Sequence, residues 1–465
     1  MKKILNIFSV AGLAMLMTLS SCNLVDTNID PTRQSDVNLS LIMPSMLSQA
    51  AYNQSGNPAR IAGIVMQQFE GFDAQQVAYT QYVIPEITFN NYWRTGLYAG
   101  VLKDCKSIID KAVAEGQPYY EGIAKIIQAN EYGIATSMFG DIPFSEALQG
   151  IDNLKPAYDT QEQVYAGVQA LLDEGISLMS QAAVAGGPAG DDLIFGGDAA
   201  AWIATAYAMK ARYHMHLTKV NGASAASSAL TALGSAFTSA AGQPNFFYEN
   251  NQIGNNPLAK FGIERPNTLV MSPNFVQSLI DRNDPRFSSY VHTDSQSFHS
   301  GANPNLVWAQ NNSAIPLISY VELKFIEAEA LLWTGASDAD VTTALQAAIT
   351  ASMEANGVSD SAYLATNGSL EGLTTTEEKL ERIMMEAYYA YYGVAFQQTW
   401  TNFRRNGYPA LTPDPNGTGG LNPSGGVPVR WLYPSSENQL NEASWQAAVG
   451  RQGPDLLDTD LWAFK

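Results

Sequence analysis

YEGIAKIIQANEYGIATSMF, residues 120–139, runs directly into GDIPFSEAL, residues 140–148. In the first part Ile123, Ile127, Ile134 and Met138 recur at intervals that align them on one face of a helix. A half-buried strand would show strict alternation instead, and none is present. Gly140-Asp141-Ile142-Pro143 then stops the helix, because glycine accepts a non-helical turn and proline lacks the amide hydrogen that a continuing helix needs.

The same period extends in both directions. Upstream, helices are predicted over 39–52, with Ile42, Met46, Leu47 and Ala50 apolar and Ser40 as a cap, and over 59–69 and 93–114. Downstream they are predicted over 160–183, over 199–218 behind the N-cap Asp198, and over 223–240, 317–333, 337–355, 375–403 and 441–449. Three stretches resist the pattern. Residues 70–92 mix Phe72, Tyr79, Tyr82, Phe89 and Tyr92 with Gln, Asn and Thr, and Pro85 breaks them. Residues 242–316 are full of Asn, Pro, Ser and Gly, which makes them too long for an idle connection. Residues 412–427 alternate Pro and Gly as a solvated loop. The sum is an all-α chain of helical pairs joined by short turns and interrupted by long polar loops. Such stacked pairs are tetratricopeptide-like, although no strict repeat of about 34 residues is present.

The N-terminus has a separate role. Lys2 and Lys3 precede an apolar run over 4–19, which ends in Leu19-Ser20-Ser21-Cys22. A basic start, a short apolar run and small residues before a cut describe a secretory signal over 1–21. The run is too short for the roughly 20 residues that cross a bilayer. The cysteine directly after two small residues marks a lipoprotein signal, with Cys22 carrying acyl chains such as palmitate. Residues 22–465 form one helical domain on this reading, with 22–38 as its polar tether. Once Cys22 is acylated only Cys105 remains, so no internal disulfide is expected and packing must supply the stability. With 46% hydrophobic and 15% charged residues, the chain can bury a large core. A net charge of −19 argues against nucleic acid and against electrostatic attraction to anionic lipid, which leaves the acyl anchor to hold the membrane.

The sequence offers little for catalysis. His214 and His216 lie two apart on a predicted helix and point away from each other, so they cannot share a metal. His292, His299 and Asp294 sit in a loop and are read as solvated. Glu327 and Glu329 fall on different helix faces and do not make a glycosidase pair. No nucleophile elbow, zinc-binding helix, phosphate loop or calcium loop occurs, so neither enzyme activity, cofactor nor metal is expected. Aromatic residues are abundant, with 22 Tyr, 18 Phe and 8 Trp. Rings flanked by amides suit sugars, whose C–H faces stack while hydroxyls bond to Asn and Gln. Trp93, Tyr98, Trp202, Tyr207 and Trp400, on predicted helices, are read as core. Phe72, Tyr79, Tyr82, Phe298 and Trp308, in polar loops, are the candidate ligand-binding residues.

Several stretches resemble the SusD/RagB lipoproteins of Bacteroidetes. DTNIDPTRQSDVNLSLIMPSML, residues 26–47, is similar to that family's N-x-D-P opening, and MFGDIPFSEAL, residues 138–148, to its F-G-D-[IV]-P turn. DAAAWIATAYAMKARYHMHL, 198–217, and VELKFIEAEALL, 321–332, resemble its tryptophan-to-arginine helix and its E-x-x-F-I-x-A-E-A segment. FQQTWTNFRRNGYPAL, 396–411, and VPVRWLYPSSENQLN, 427–441, resemble its W-x-x-x-R-R-x-G-x-P and P-x-R-x-x-Y-P signatures. DTDLWAFK, 458–465, resembles the closing T-x-L-W-W, with Ala463 where a second tryptophan is usual. Glu322, Glu327, Glu329, Arg404 and Arg405 in these motifs read as residues that cap, bridge or satisfy buried backbone. The resemblance implies a SusD-like all-helical scaffold and a lipid-anchored outer-membrane protein exposed at the cell surface. It further implies a lid on a SusC-like TonB-dependent barrel that captures oligosaccharide, or in some members peptide, without catalysis. The loop aromatics lie outside the shared motifs, so the resemblance assigns them no role. The alternative is a helical scaffold that binds only peptides or protein partners and has no glycan site.

Overall fold

The computed structural model describes residues 37–291, 306 and 308–465. Cys22, the signal over 1–21, Phe298 and the His292/Asp294/His299 group lie outside the described residues.

The architecture is all-α, as expected. Helix α1 spans Leu39–Ser55, α2 Asn57–Val65, α3 Gln75–Thr80, α4 Leu102–Glu115, α5 Pro118–Phe139, α6 Gln161–Met179, α7 Ala199–Met215 and α8 Thr218–Leu233. After shorter elements, α9 (Pro257–Glu264) and α10 (Pro273–Asp281), come α11 Tyr320–Trp333, α12 Asp338–Ala355, α13 Thr376–Ala390, α14 Phe396–Asn406 and α15 Glu442–Gln452. Neighbours in sequence pack as neighbours in space: α4 on α5, α5 on α6, α7 on α8 and α11 on α12. Short connections force successive helices to return against each other, which is how pairs stack. Two antiparallel pairs of very short strands, Phe69–Gly71 with Leu269–Met271 and Asn245–Phe246 with Ile315–Pro316, pin the loop regions to one another. Among the described residues no helix is long and apolar enough to cross a membrane.

Local chemistry explains most boundaries. Asp198 caps α7 by accepting from the amides of Ala200 and Ala201. Thr160 and Gln163 close a reciprocal capping box on α6. Ser40 is not a cap; it lies inside α1, and the cap position is Asn38. The helix predicted over 375–403 is two helices. Gly393, at φ +84°, separates them, and a Cβ there would lie 2.4 Å from the Cβ of Trp308. Gly393→Ala is therefore expected to destabilise the protein by about 1–3 kcal/mol, read as a lower urea midpoint with an unchanged slope.

Most of the motif residues hold the scaffold together. Arg212 on α7 donates to both carboxylate oxygens of Glu322 on α11, at 2.6 and 2.7 Å, and all of these atoms are buried. Arg405 on α14 makes the same fork with Glu329 at 2.7 and 2.8 Å. Arg404 stacks on Trp400, 3.9 Å from the ring centre, and on Phe464 at 4.4 Å, and donates to the carbonyls of Ser137 and Val429. Trp431 stacks between Phe89 at 4.2 Å and Trp400 at 5.4 Å, with Phe139 edge-on. Glu327 departs from this pattern and makes a surface pair with Lys324.

Candidate functional site

Tyr52 lies on the outer face of α1, since that helix buries Met43, Met46, Leu47, Ala50 and Ala51. Its ring is 51% exposed, an unusual display for a large aromatic on a well-packed helix. It overlooks a cleft of about 740 Å³ bounded by α1, α2, α3 and the Tyr92–Val101 segment, whose turns are wider than those of an α-helix. Such wide turns recur at functional sites.

The walls carry several amides and hydroxyls, together with Pro58, Ile87 and the cation Arg60. Asn53 is fixed at the base, its Nδ2 donating to the Gly96 carbonyl at 3.1 Å and to the Glu131 carboxyl at 2.7 Å, while its Oδ1 accepts from Gln49 at 2.9 Å. Asn57 donates to the Thr88 carbonyl at 3.3 Å and accepts from Arg60 Nη2 at 3.1 Å. Gln75, Asn91 and Thr95 face solvent at the rim. The exposed side chains of Gln75, Asn91 and Thr95 supply polar groups at the opening, and the arrangement suits a polyhydroxylated ligand lying against a ring. Beneath the floor, burial pushes the Glu131 carboxyl up to about 8, against the opposing hydrogen bond from Asn53. On the other side of Tyr52 a second hollow of about 810 Å³ is bordered by Leu193, Phe247, Tyr248 and Ile253.

The expected loop aromatics separate into different environments. Phe72 is 65% exposed on the link between the Phe69–Gly71 strand and α3, outside both hollows. Tyr79 is part of α3 rather than a loop. Its ring is mostly covered, but the residue lines the cleft, and its hydroxyl accepts from Thr88 at 3.4 Å. Tyr82 and Trp308 are corrections, because neither ring is available at a loop surface. Tyr82 is buried, with its hydroxyl between the Val65 carbonyl and the Gln67 amide. Trp308 packs among Phe69, Tyr290 and Tyr392 and donates to the Tyr290 carbonyl at 3.3 Å. A polar local sequence did not keep these two rings in water, because the rest of the chain closes over them. The helical aromatics Trp93, Trp202 and Trp400 are buried, and Tyr98 and Tyr207 pack partly covered against the core.

Sequence reasoning passed over Tyr52, Asn53, Asn57 and Arg60. One signal was available: Tyr52 is off the stripe formed by Ile42, Met46, Leu47 and Ala50, so helical periodicity alone places it outward. Nothing local signalled that α2 and residues 86–96 would enclose a cleft in front of it. Among the described residues no group of three or more His, Cys, Asp or Glu is placed to hold a metal ion.

An all-α scaffold with a polar cleft on its outer face is the class of protein this geometry defines. It belongs to the SusD-like family, whose model, described as starch-binding and associating with the outer membrane, matches residues 31–434. Solved structures agree on the fold. A SusD/RagB family protein from Bacteroides thetaiotaomicron is 23% identical, with a TM-score of 0.74 over 92% of this chain and 99% of that one. A SusD homologue from Bacteroides uniformis is 20% identical, with a TM-score of 0.77 over 93% and 100%. A chitin-binding SusD homologue from Flavobacterium johnsoniae is 20% identical, with a TM-score of 0.76 over 91% and 99%. At these identities the likeness is one of fold. No curated protein matches the sequence.

Proposed function

We propose that this protein is a lipid-anchored glycan-capture subunit at the outer membrane, working with a SusC-like TonB-dependent barrel in nutrient uptake. The observation that carries the reading is the half-exposed Tyr52 ring above an amide-lined cleft. A sugar ring stacks on Tyr52 while its hydroxyls exchange hydrogen bonds with Asn57, Gln75, Asn91 and Thr95. On this reading the ligand is held and passed on intact. Phe72 extends the contact for a longer chain, Tyr79 shapes the wall, and Phe298 is retained as a loop contact. The starch-binding description of the family and the chitin-binding relative support glycan over peptide. Acylated Cys22 keeps the body at the membrane surface.

Ring stacking contributes about 1 kcal/mol, so binding is expected in the micromolar-to-millimolar range. Tyr52→Ala should weaken retention in a glycan affinity gel by roughly five- to tenfold. Unchanged mobility would remove Tyr52 from the site. A second reading, a scaffold that binds only protein partners, draws on Phe247 and Ile253, 66% and 92% exposed beside the cleft. Co-purification with a barrel, together with no retention by any glycan or peptide, would favour it.

A further inference from the structure

We propose that the Tyr52 cleft selects acidic oligosaccharides, with Arg60 pairing with a uronate carboxylate. This rests on the glycan-capture reading above. The chain carries 44 acidic residues against 25 basic ones, yet among the described residues no Asp or Glu lines this cleft and Arg60 is its one charged residue.

Arg60 stands apart from the other enclosed arginines. Arg212, Arg405 and Arg286 each fork onto a carboxylate. Arg404 lacks a carboxylate but has three backbone carbonyls, those of Ser137, Trp400 and Val429. Arg60 has neither. Among the described residues its Nη2 reaches only Asn57 Oδ1, its Cζ lies 4.0 Å from the Phe261 ring centre, and its buried Nε has no hydrogen-bond partner. Arg265 approaches the same ring at 5.9 Å and adds positive potential. Burial, opposed by Tyr52 and aided to a smaller extent by Arg265, pushes the Arg60 guanidinium down to about 10, which still leaves it charged at neutral pH.

Part of the desolvation of this half-buried cation has therefore been met on folding without a counter-charge. A planar carboxylate is the complement of a guanidinium fork, and a pair formed in such a site is stronger than one in open water. The carboxylate should be borne by a sugar, because its pyranose ring can lie on Tyr52 while the amides at the rim take the hydroxyls. A neutral glycan would leave Arg60 unmatched.

The test uses the full chain and calorimetric titration. The ligands are oligogalacturonate, oligoalginate and hyaluronan oligosaccharides, the methyl ester of whichever uronate binds, neutral malto- and chito-oligosaccharides, and an acidic peptide. At least one uronate should bind tenfold or more tighter than the neutral glycans and than its own ester. Arg60→Gln should abolish that difference, and Arg60→Lys should keep part of it. Neutral glycans binding as tightly as every uronate, or equal binding of acid and ester by the unaltered chain, overturns the inference while leaving glycan capture standing. Peptide binding that depends on Arg60, with no uronate bound, also overturns it. Silence from every glycan, neutral and acidic, overturns the capture reading itself.

Discussion

Arg212→Met should lower stability by about 3–5 kcal/mol, because it strands the Glu322 carboxylate in a site that water does not reach. The Leu317 carbonyl and Asn130 Oδ1 lose donors in the same step. The desolvation of two charges makes the intact pair worth much less than that loss. The double variant Arg212→Met/Glu322→Leu should accordingly recover most of the stability, and its equilibrium urea midpoint should lie nearer the parent than the single variant's. A single variant as stable as the parent would show that the fork does not join α7 to α11.

Glu131→Gln should stabilise the protein, by an amount that grows with pH. The folded carboxyl is raised to about 8 from an ordinary 4.5, so the folded state holds its proton where the unfolded chain releases it. The stability associated with this group is fully present below about pH 4.5 and lost as pH rises toward 8, beyond which both states are ionised. At 1.36 kcal/mol per pKa unit the loss approaches about 5 kcal/mol as an upper bound. Glutamine keeps the shape and can still accept from Asn53, but it has no proton to lose. Urea unfolding at pH 5 and pH 8 checks this: the advantage of the variant should be small at the lower pH and several kcal/mol at the higher. Equal differences at the two values would contradict it. Since Asn53 stands between Glu131 and the cleft, the variant also tests how far the floor of the site depends on this carboxyl.

The scaffold was legible because its information is local or carried by motifs. Period gave α5 to within two residues and the starts of α6 and α7, which end four and three residues earlier than expected, and the motif arginines and glutamates behaved as structural ties, Glu327 excepted. The break at Gly393 was harder to see, because an apolar period runs straight across it and the reason for the turn, Trp308, lies some 85 residues away in the chain. Residues 242–316 read as loop because their Asn, Pro and Gly obscure α9, α10 and three very short strands whose partners are distant in sequence. The site suffered most from the same limit. Tyr82 and Trp308 sit in polar sequence but are covered by tertiary packing, whereas Tyr52 sits in helical sequence and points out of it. Local polarity is a poor guide to which rings meet solvent, and position on a helix face is a better one.

A crystal structure of the protein with the oligosaccharide it retains most strongly tests the central claim most directly. The sugar should lie with one ring within about 4 Å of the Tyr52 face and its hydroxyls on the side-chain amides of Asn57 and Asn91. A ligand seated elsewhere on the surface, with the Tyr52 cleft holding only water, would contradict the account.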